Sequence, residues 1–290
     1  MLFYMKTRIL VTGANGQLAQ TIREVYKKDK NHLEMIFVNR GKLDITSKSN
    51  IEDLFKDGAY DYCINCAAYT NVELAESEQE KAFLVNAEGV KYLSEVCKSN
   101  NTVLIHISTD YVFDGTKKQP YVEDDITNPI NAYGKSKLQG EKYVKAILEK
   151  YYIIRASWLY SVYNKNFLKT ILDKVLDNAE LKIINSQKGT PTSCEELSYF
   201  LFYLIKNENI PYGLYHFSAS GNCSWYDYAL QIAEHVIEYD NSNIQPVETF
   251  KTLAKRPDYS VLSIDKVQSA YKNLEHWNDS VNKTVKRLLQ

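Results

Sequence analysis

The chain has 290 residues, 44% of them hydrophobic, which is enough to bury a sizeable core and excludes a disordered chain; the length suits one large domain, or a large domain with a smaller companion. Its 35 basic and 36 acidic residues nearly cancel, so no field of one sign exists to hold nucleic acid or an anionic membrane, and small-molecule chemistry is the better expectation. Lys6 and Arg8 cut off the apolar start before a signal-peptide core or membrane span can form, and five cysteines scattered through apolar segments suit a reducing compartment, so a cytoplasmic location is expected.

From Thr7 to Ser157, short β-branched runs alternate with longer helical patterns. ILVT at 9–12 leads into a helix from about Gly16, then come MIFV at 35–38, INCAA at 64–68, a long polar–apolar helix, and VLIHIS at 103–108. A helix from Tyr133 to about Glu149 and the strand YYIIRAS at 151–157 close the half. The strand runs are almost unbroken in apolar character, as strands covered on both faces should be. This pattern predicts an α/β, doubly wound parallel sheet, Rossmann-like, over residues 1–157. After Ser157 the order loosens: a helix near 164–178, a strand LKII, a helix near 195–206, a strand LYHF, and helices near 225–238 and 278–289. Residues 158–290 are expected to form mainly a smaller substrate-binding domain, with some segments returning to the sheet. Cys63 and Cys66 form a CxxC, but an odd spacing on a strand sends them to opposite faces, and no second pair completes a zinc site. They are expected to be core residues, and no metal is expected.

Gly13-Ala14-Asn15-Gly16-Gln17-Leu18-Ala19 follows the first strand and opens a helix, the context a dinucleotide fingerprint requires. Gly13 allows the tight turn, Gly16 lets backbone approach a pyrophosphate, and Ala19 lets helix and strand pack closely. The second strand ends in Asn39-Arg40, where an acid would ordinarily hold a ribose diol. Arg40 suits a 2′-phosphate or stacking on adenine, and Asn39 can still bond a diol, so NADH and NADPH both remain open. Asp44-Ile45 fits a loop beside the adenine, with Asp44 either bonding its amino group or capping the helix that begins near Thr46 or Ser47.

Tyr133 and Lys137 lie four apart on a helix and therefore share a face. A nearby ammonium lowers the pKa of a phenol and makes it a better proton donor to a developing alkoxide, the acid that a ketone reduction needs. Ser108 and Thr109 end the preceding strand, where such folds bind ligands; Thr109 is the expected partner of a substrate carbonyl, with a capping role the alternative.

Taken together, VTGANGQLA, NCAAYTNVELAESE, STDYVFDG, NAYGKSKLQGE, IIRASWLY, GTPTS, GLYHFSASG, SWYDYA and Arg256-Pro257 resemble the extended short-chain dehydrogenase/reductase superfamily, and within it the dTDP-4-dehydrorhamnose reductase family, over nearly the whole chain. The resemblance implies reduction of dTDP-4-dehydro-β-L-rhamnose at its C4 ketone by NADH or NADPH. Another nucleotide-sugar 4-ketoreductase of the same fold is the first alternative, and a non-catalytic NAD(P)-binding regulatory subunit the second. By motif position it implies that Asn15, Gly16, Gln17 and Leu18 approach the pyrophosphate, and that Asn39, Asp44 and Ile45 surround the adenosine. Ala67, Ala68, Tyr69, Thr70 and Ile107 line the cofactor, and Tyr133 and Lys137 also hold its ribose. Thr109, Asp110 and Trp158 contact the sugar, with a core role the lesser alternative for Trp158, and Arg256 faces the nucleotide diphosphate. A monomer or homodimer acting on a nucleotide sugar is implied, without nucleic-acid or membrane partners. Two positions depart from the family pattern: Glu73 stands where a shorter Asp is usual, and Thr21 stands where some members place a Glu that bridges a dimer through magnesium.

Overall fold

Ile9, Leu10 and Val11 are successive residues of strand β1 (Thr7–Thr12), and all three are fully buried although their side chains alternate between opposite faces. An apolar run of this kind needs cover on both sides, and the computed structural model, which describes residues 6–28, 33–207 and 209–290, supplies it. The apolar residues 1–5 lie outside the described residues. On one face Ile9 and Val11 join Leu18, Ala19 and Ile22 of helix α1 (Gln17–Lys28) and Leu197, Phe200 and Leu201 of the helix Cys194–Lys206. On the other, Leu10 packs with Ile51 and Phe55 of α2 (Lys48–Lys56) and with Val90 and Leu93 of a later helix.

Strands β2 (Leu33–Phe37), β3 (Tyr62–Asn65), β4 (Val103–Thr109) and β5 (Tyr151–Ala156) complete the first half. The sheet has six parallel strands in the order Gly213–Phe217, β5, β4, β3, β1, β2. This is the doubly wound arrangement that the alternation predicted. The order reverses at β1, with β2 on one side and β3 on the other, and the carboxyl ends there leave the crevice in which such sheets bind ligands. The sixth strand comes from the second half of the chain, pairing with β5 from Gly213↔Tyr152 to Phe217↔Ala156.

The single long helix expected after β3 is broken into four pieces: α3 (Val72–Ser77), α4 (Gln79–Phe83), a π turn over Leu84–Glu88, and α5 (Gly89–Ser99). Glu78 leaves helical geometry at φ −112°, ψ 43°. The π turn points Asn86 inward, where its side chain bonds the backbone N–H and C=O of Tyr69 and the hydroxyl of Ser136. Widened helical turns of this sort usually serve such a placement.

The second half builds its own core around Leu168 and Leu172 of the helix Phe167–Leu176, Tyr228 and Ile232 of Trp225–Ala233, and Trp277 and Val281 of Trp277–Leu288. Among the described residues no helix is long and apolar enough to cross a membrane.

Candidate functional site

At the end of β1 the chain turns at Gly13, whose φ is +65°, and a Cβ there would stand 2.7 Å from the Ala67 nitrogen, so both conformation and space demand glycine. The turn closes through Gly16 N–H to Gly13 O at 2.8 Å and is tied to β2 through Ala14 N–H to Val38 O at 3.0 Å. Gly16, Gln17 and Leu18 then face a cavity of about 530 Å³ at the α1 N-terminus. The first turn of α1 carries no acidic residue. A bare backbone turn at the positive end of a helix, opening into a cavity at the switch point, fits a dinucleotide pyrophosphate. Asn15 contributes backbone: its carbonyl accepts from the side chains of Gln20 and Asn164.

Tyr133 and Lys137 lie one turn apart on α6 (Ala132–Ile147) and both line this cavity. The helix start is fixed from three sides. Asn131 caps it by accepting from Gly134 N–H, its amide donates to Lys255 O, and Glu76 accepts from Ala132 N–H. Gly134 lets α6 approach the preceding loop; a Cβ there would lie 2.1 Å from Tyr111 O.

The two strand-end hydroxyls have different partners. Ser108 donates to Glu141 Oε1 at 2.5 Å, and Glu141 is gripped by both forks of Arg155 at 2.9 and 2.7 Å, deep in the core. Thr109 donates to Asp110 Oδ1 at 3.0 Å and accepts from Tyr111 N–H. It also hydrogen-bonds Tyr133. Thr109 is therefore the hydroxyl grouped with the phenol.

The expected lowering of the Tyr133 pKa is corrected by the structure. Burial pushes the phenol up to about 12, against the pull of the Thr109 hydrogen bond. Lys137 donates to Ile107 O at 2.6 Å, and burial presses it down to about 8 while Glu141 holds it up. Desolvation is the largest influence on both groups, and it favours the neutral form of each. Asp110 is raised to about 6 by burial, with hydrogen bonds from Ser260 and Thr109 opposing.

Ala68, Thr70, Ile107, Asp110 and Trp158 join Gly16, Gln17, Leu18, Thr109, Tyr133 and Lys137 along the cavity wall. Ala67 sits behind it, its N–H bonded to Thr12 and Asn65, and Tyr69 turns away to bond Glu78. Asn39, Arg40, Asp44 and Ile45 form the loop after β2. Asn39 accepts from Lys42 N–H, Arg40 pairs with Asp44 at 3.2 Å, and Ile45 is buried. Asp44 also accepts from the backbone and hydroxyl of Thr46, while Ser47 caps α2.

Arg256 stands beside the cavity: its guanidinium pairs with Glu73 at 2.5 Å and hydrogen-bonds Tyr111 of the cavity wall, and Glu73 also accepts from Leu253 N–H, so the arginine ties the 253–256 loop to α3. The longer acid at position 73 is what forms this tie. Cys66 differs from the expectation. Cys63 is core on one face, as expected, but Cys66 is a half-buried wall of the cavity, its thiol pushed up by burial and so unionised.

Residues missed in the sequence also line the wall, among them Tyr160, Asn164, Asn166, Phe167, Trp225 and Tyr228. Trp225 and Tyr228 lie in the SWYDYA segment, which supports the family resemblance and opens the helix expected near 225–238, but carries no sign of a role in the site. Their place opposite Trp158 depends on how the second half folds back.

The family described as the RmlD substrate binding domain matches residues 7–290. A dTDP-4-dehydrorhamnose reductase of Aggregatibacter actinomycetemcomitans is 37% identical over 274 residues, 91% of this chain and 93% of that protein. The crystal structure of a dTDP-4-dehydrorhamnose reductase from Clostridium acetobutylicum superposes with a TM-score of 0.92 at 39% identity, covering 98% of this chain and all of that one. The Bacillus anthracis enzyme of the same name, solved in complex with NADP, gives 0.92 at 33% identity over 98% of this chain and 100% of its own. With a family match over almost its full length and relatives this similar, the chain belongs to the RmlD substrate-binding-domain family, that of the dTDP-4-dehydrorhamnose reductases.

Proposed function

We propose that this chain reduces the C4 ketone of dTDP-4-dehydro-β-L-rhamnose to give dTDP-L-rhamnose, using NADH or NADPH. The observation that carries the reading is the meeting of Thr109, Tyr133 and Lys137 in one cavity with the Gly16–Leu18 turn. The reduced nicotinamide, when bound, supplies the hydride that reduces the carbonyl carbon.

Gly16, Gln17 and Leu18 hold the pyrophosphate, and Asn39, Arg40, Asp44 and Ile45 frame the adenosine. Ala67, Ala68, Tyr69, Thr70 and Ile107 flank the rest of the cofactor. Thr109 hydrogen-bonds the C4 oxygen and holds it beside Tyr133, whose phenol gives that oxygen its proton. With its pKa raised to about 12 by burial, the phenol keeps its proton at neutral pH until the developing alkoxide takes it. Lys137, charged below about pH 8, stabilises the phenolate left behind and bonds the ribose. Asp110 and Trp158 contact the sugar. Residues 1–157, with the strand Gly213–Phe217, serve the cofactor, and 158–290 mainly serve the substrate. The chain works in the cytoplasm as a monomer or homodimer.

The test mixes purified protein with dTDP-4-dehydro-β-L-rhamnose and follows loss of reduced nicotinamide with each cofactor, then identifies the product. Formation of dTDP-L-rhamnose supports the assignment. Cofactor binding without consumption, or a product of other stereochemistry, overturns the substrate.

A further inference from the structure

Four non-glycine residues among those described have positive φ: Asn101, Asn164, Asn178 and Trp158. Asparagine adopts that conformation readily; a bulky tryptophan at φ +46° does not, and persists there only where its surroundings over-determine it. The backbone on either side of Trp158 is held by one segment. Ser157 donates to Thr190 O, Thr192 N–H donates to Trp158 O, and Leu159–Tyr160 pairs in parallel with Thr192–Ser193.

That same segment begins at Gly189, which lies against the indole. A Cβ on Gly189 would meet Trp158 Cε2 at 2.4 Å, Cζ2 at 2.6 Å and Nε1 at 2.7 Å. Gly189 is not in the left-handed region itself, so its backbone does not require glycine; the ring does. Gly189 also pairs with Cys223, and the next residue, Ser224, caps the following helix through a reciprocal capping box with Asp227. This makes Trp225 the first helical residue and lays its indole on that of Trp158, with ring centroids 3.5 Å apart and planes 11° from parallel. Both rings line the cavity that holds Thr109 and Asp110.

We infer that Gly189 and Trp225 are positioning residues that set where the Trp158 indole stands, and through it how tightly the sugar of the nucleotide-sugar substrate is held. An aromatic face beside a hydroxyl and a carboxyl suits a deoxyhexose, whose C–H face packs on the ring while its oxygens meet the polar groups. The inference rests on the reductase reading and adds residues that touch no reacting atom.

The test uses the full chain as wild type, Gly189→Ala, Trp225→Leu, Trp158→Leu and the double variant Gly189→Ala/Trp158→Leu. Two stacked indoles couple their transitions and give a paired-sign band in far-ultraviolet circular dichroism. Gly189→Ala is expected to lose that band and to raise KM for dTDP-4-dehydro-β-L-rhamnose roughly tenfold or more, with NADPH affinity changed less than about twofold. On the Trp158→Leu background the same change is expected to add less than about twofold, because its effect runs through the indole. A Gly189→Ala protein that keeps both band and KM, or a double variant whose losses multiply, overturns the inference. Should Gly189→Ala fail to fold, Trp225→Leu carries the test, and an unchanged KM there is equally fatal. A wild type that binds NADPH and turns nothing over overturns the reductase reading and the sugar half of this one, while the band in Gly189→Ala still decides the positioning half.

Discussion

Replacing Glu141 by Gln should destabilise the fold and shift the pH limit of catalysis together. The carboxylate and its partner Arg155 are 1% and 2% exposed at their side chains, joined by two hydrogen bonds at 2.9 and 2.7 Å. Around them lie Ser108, a His216 held neutral chiefly by burial, the face of Phe113 at 5.1 Å from the guanidinium, and Lys137 and Lys145, whose pKa values Glu141 holds up. Glutamine keeps the shape but removes the negative charge, leaving a buried cation without its counter-ion, a loss of about 3–5 kcal/mol. For a chain of 290 residues that corresponds to a fall in Tm of roughly 5–8 °C. Urea and thermal unfolding measure it, and the double variant Glu141→Leu/Arg155→Met should recover most of the loss, since an apolar pair needs no compensation. Glu141 also holds up the Lys137 pKa, so the alkaline limb of kcat/KM should move to lower pH in Glu141→Gln. A loss under about 1 kcal/mol, the size of a surface pair, would refute the reasoning.

Tyr133→Phe should lower kcat about a hundredfold or more while leaving NADPH affinity nearly intact, the signature of a missing general acid; turnover like wild type excludes Tyr133 from that role. The wild-type kcat/KM should fall as pH rises through about 8, because the depressed Lys137 then loses the charge that stabilises phenolate; a pH profile flat to about 9.5 contradicts this. Arg40→Ala should weaken NADPH roughly tenfold or more and NADH little, if the guanidinium leaves Asp44 for a 2′-phosphate. Equal losses measured by titration point to stacking on adenine instead.

Local patterns carried much of this protein. The almost unbroken apolar runs at 9–12 and 103–108 require a sheet covered on both faces, so with the alternation of strand and helix patterns the parallel arrangement was legible from sequence. The Gly13–Ala19 segment and the Tyr133–Lys137 spacing are likewise local, since a turn followed by a helix decides where their groups point. The broken helices between Val72 and Ser99 were not legible, because the cause is the Asn86 side chain reaching Tyr69 and Ser136 across the fold.

Charge and environment follow the same division. Spacing alone sets Lys137 beside Tyr133 and argues for a lowered phenol pKa, but the sign is decided by burial, a property of the assembled fold, and burial raises it. Arg256 and Glu73 are 183 residues apart, so only the folded chain makes them partners. The stacked indoles of Trp158 and Trp225 likewise depend on Gly189, on a third segment. Sequence thus determined the sheet, the dinucleotide turn and the Tyr–Lys helix, all set by periodicity within a few turns. Tertiary structure alone decided how the site's groups are partnered, how they titrate and what walls the sugar side, because those depend on contacts between segments distant along the chain.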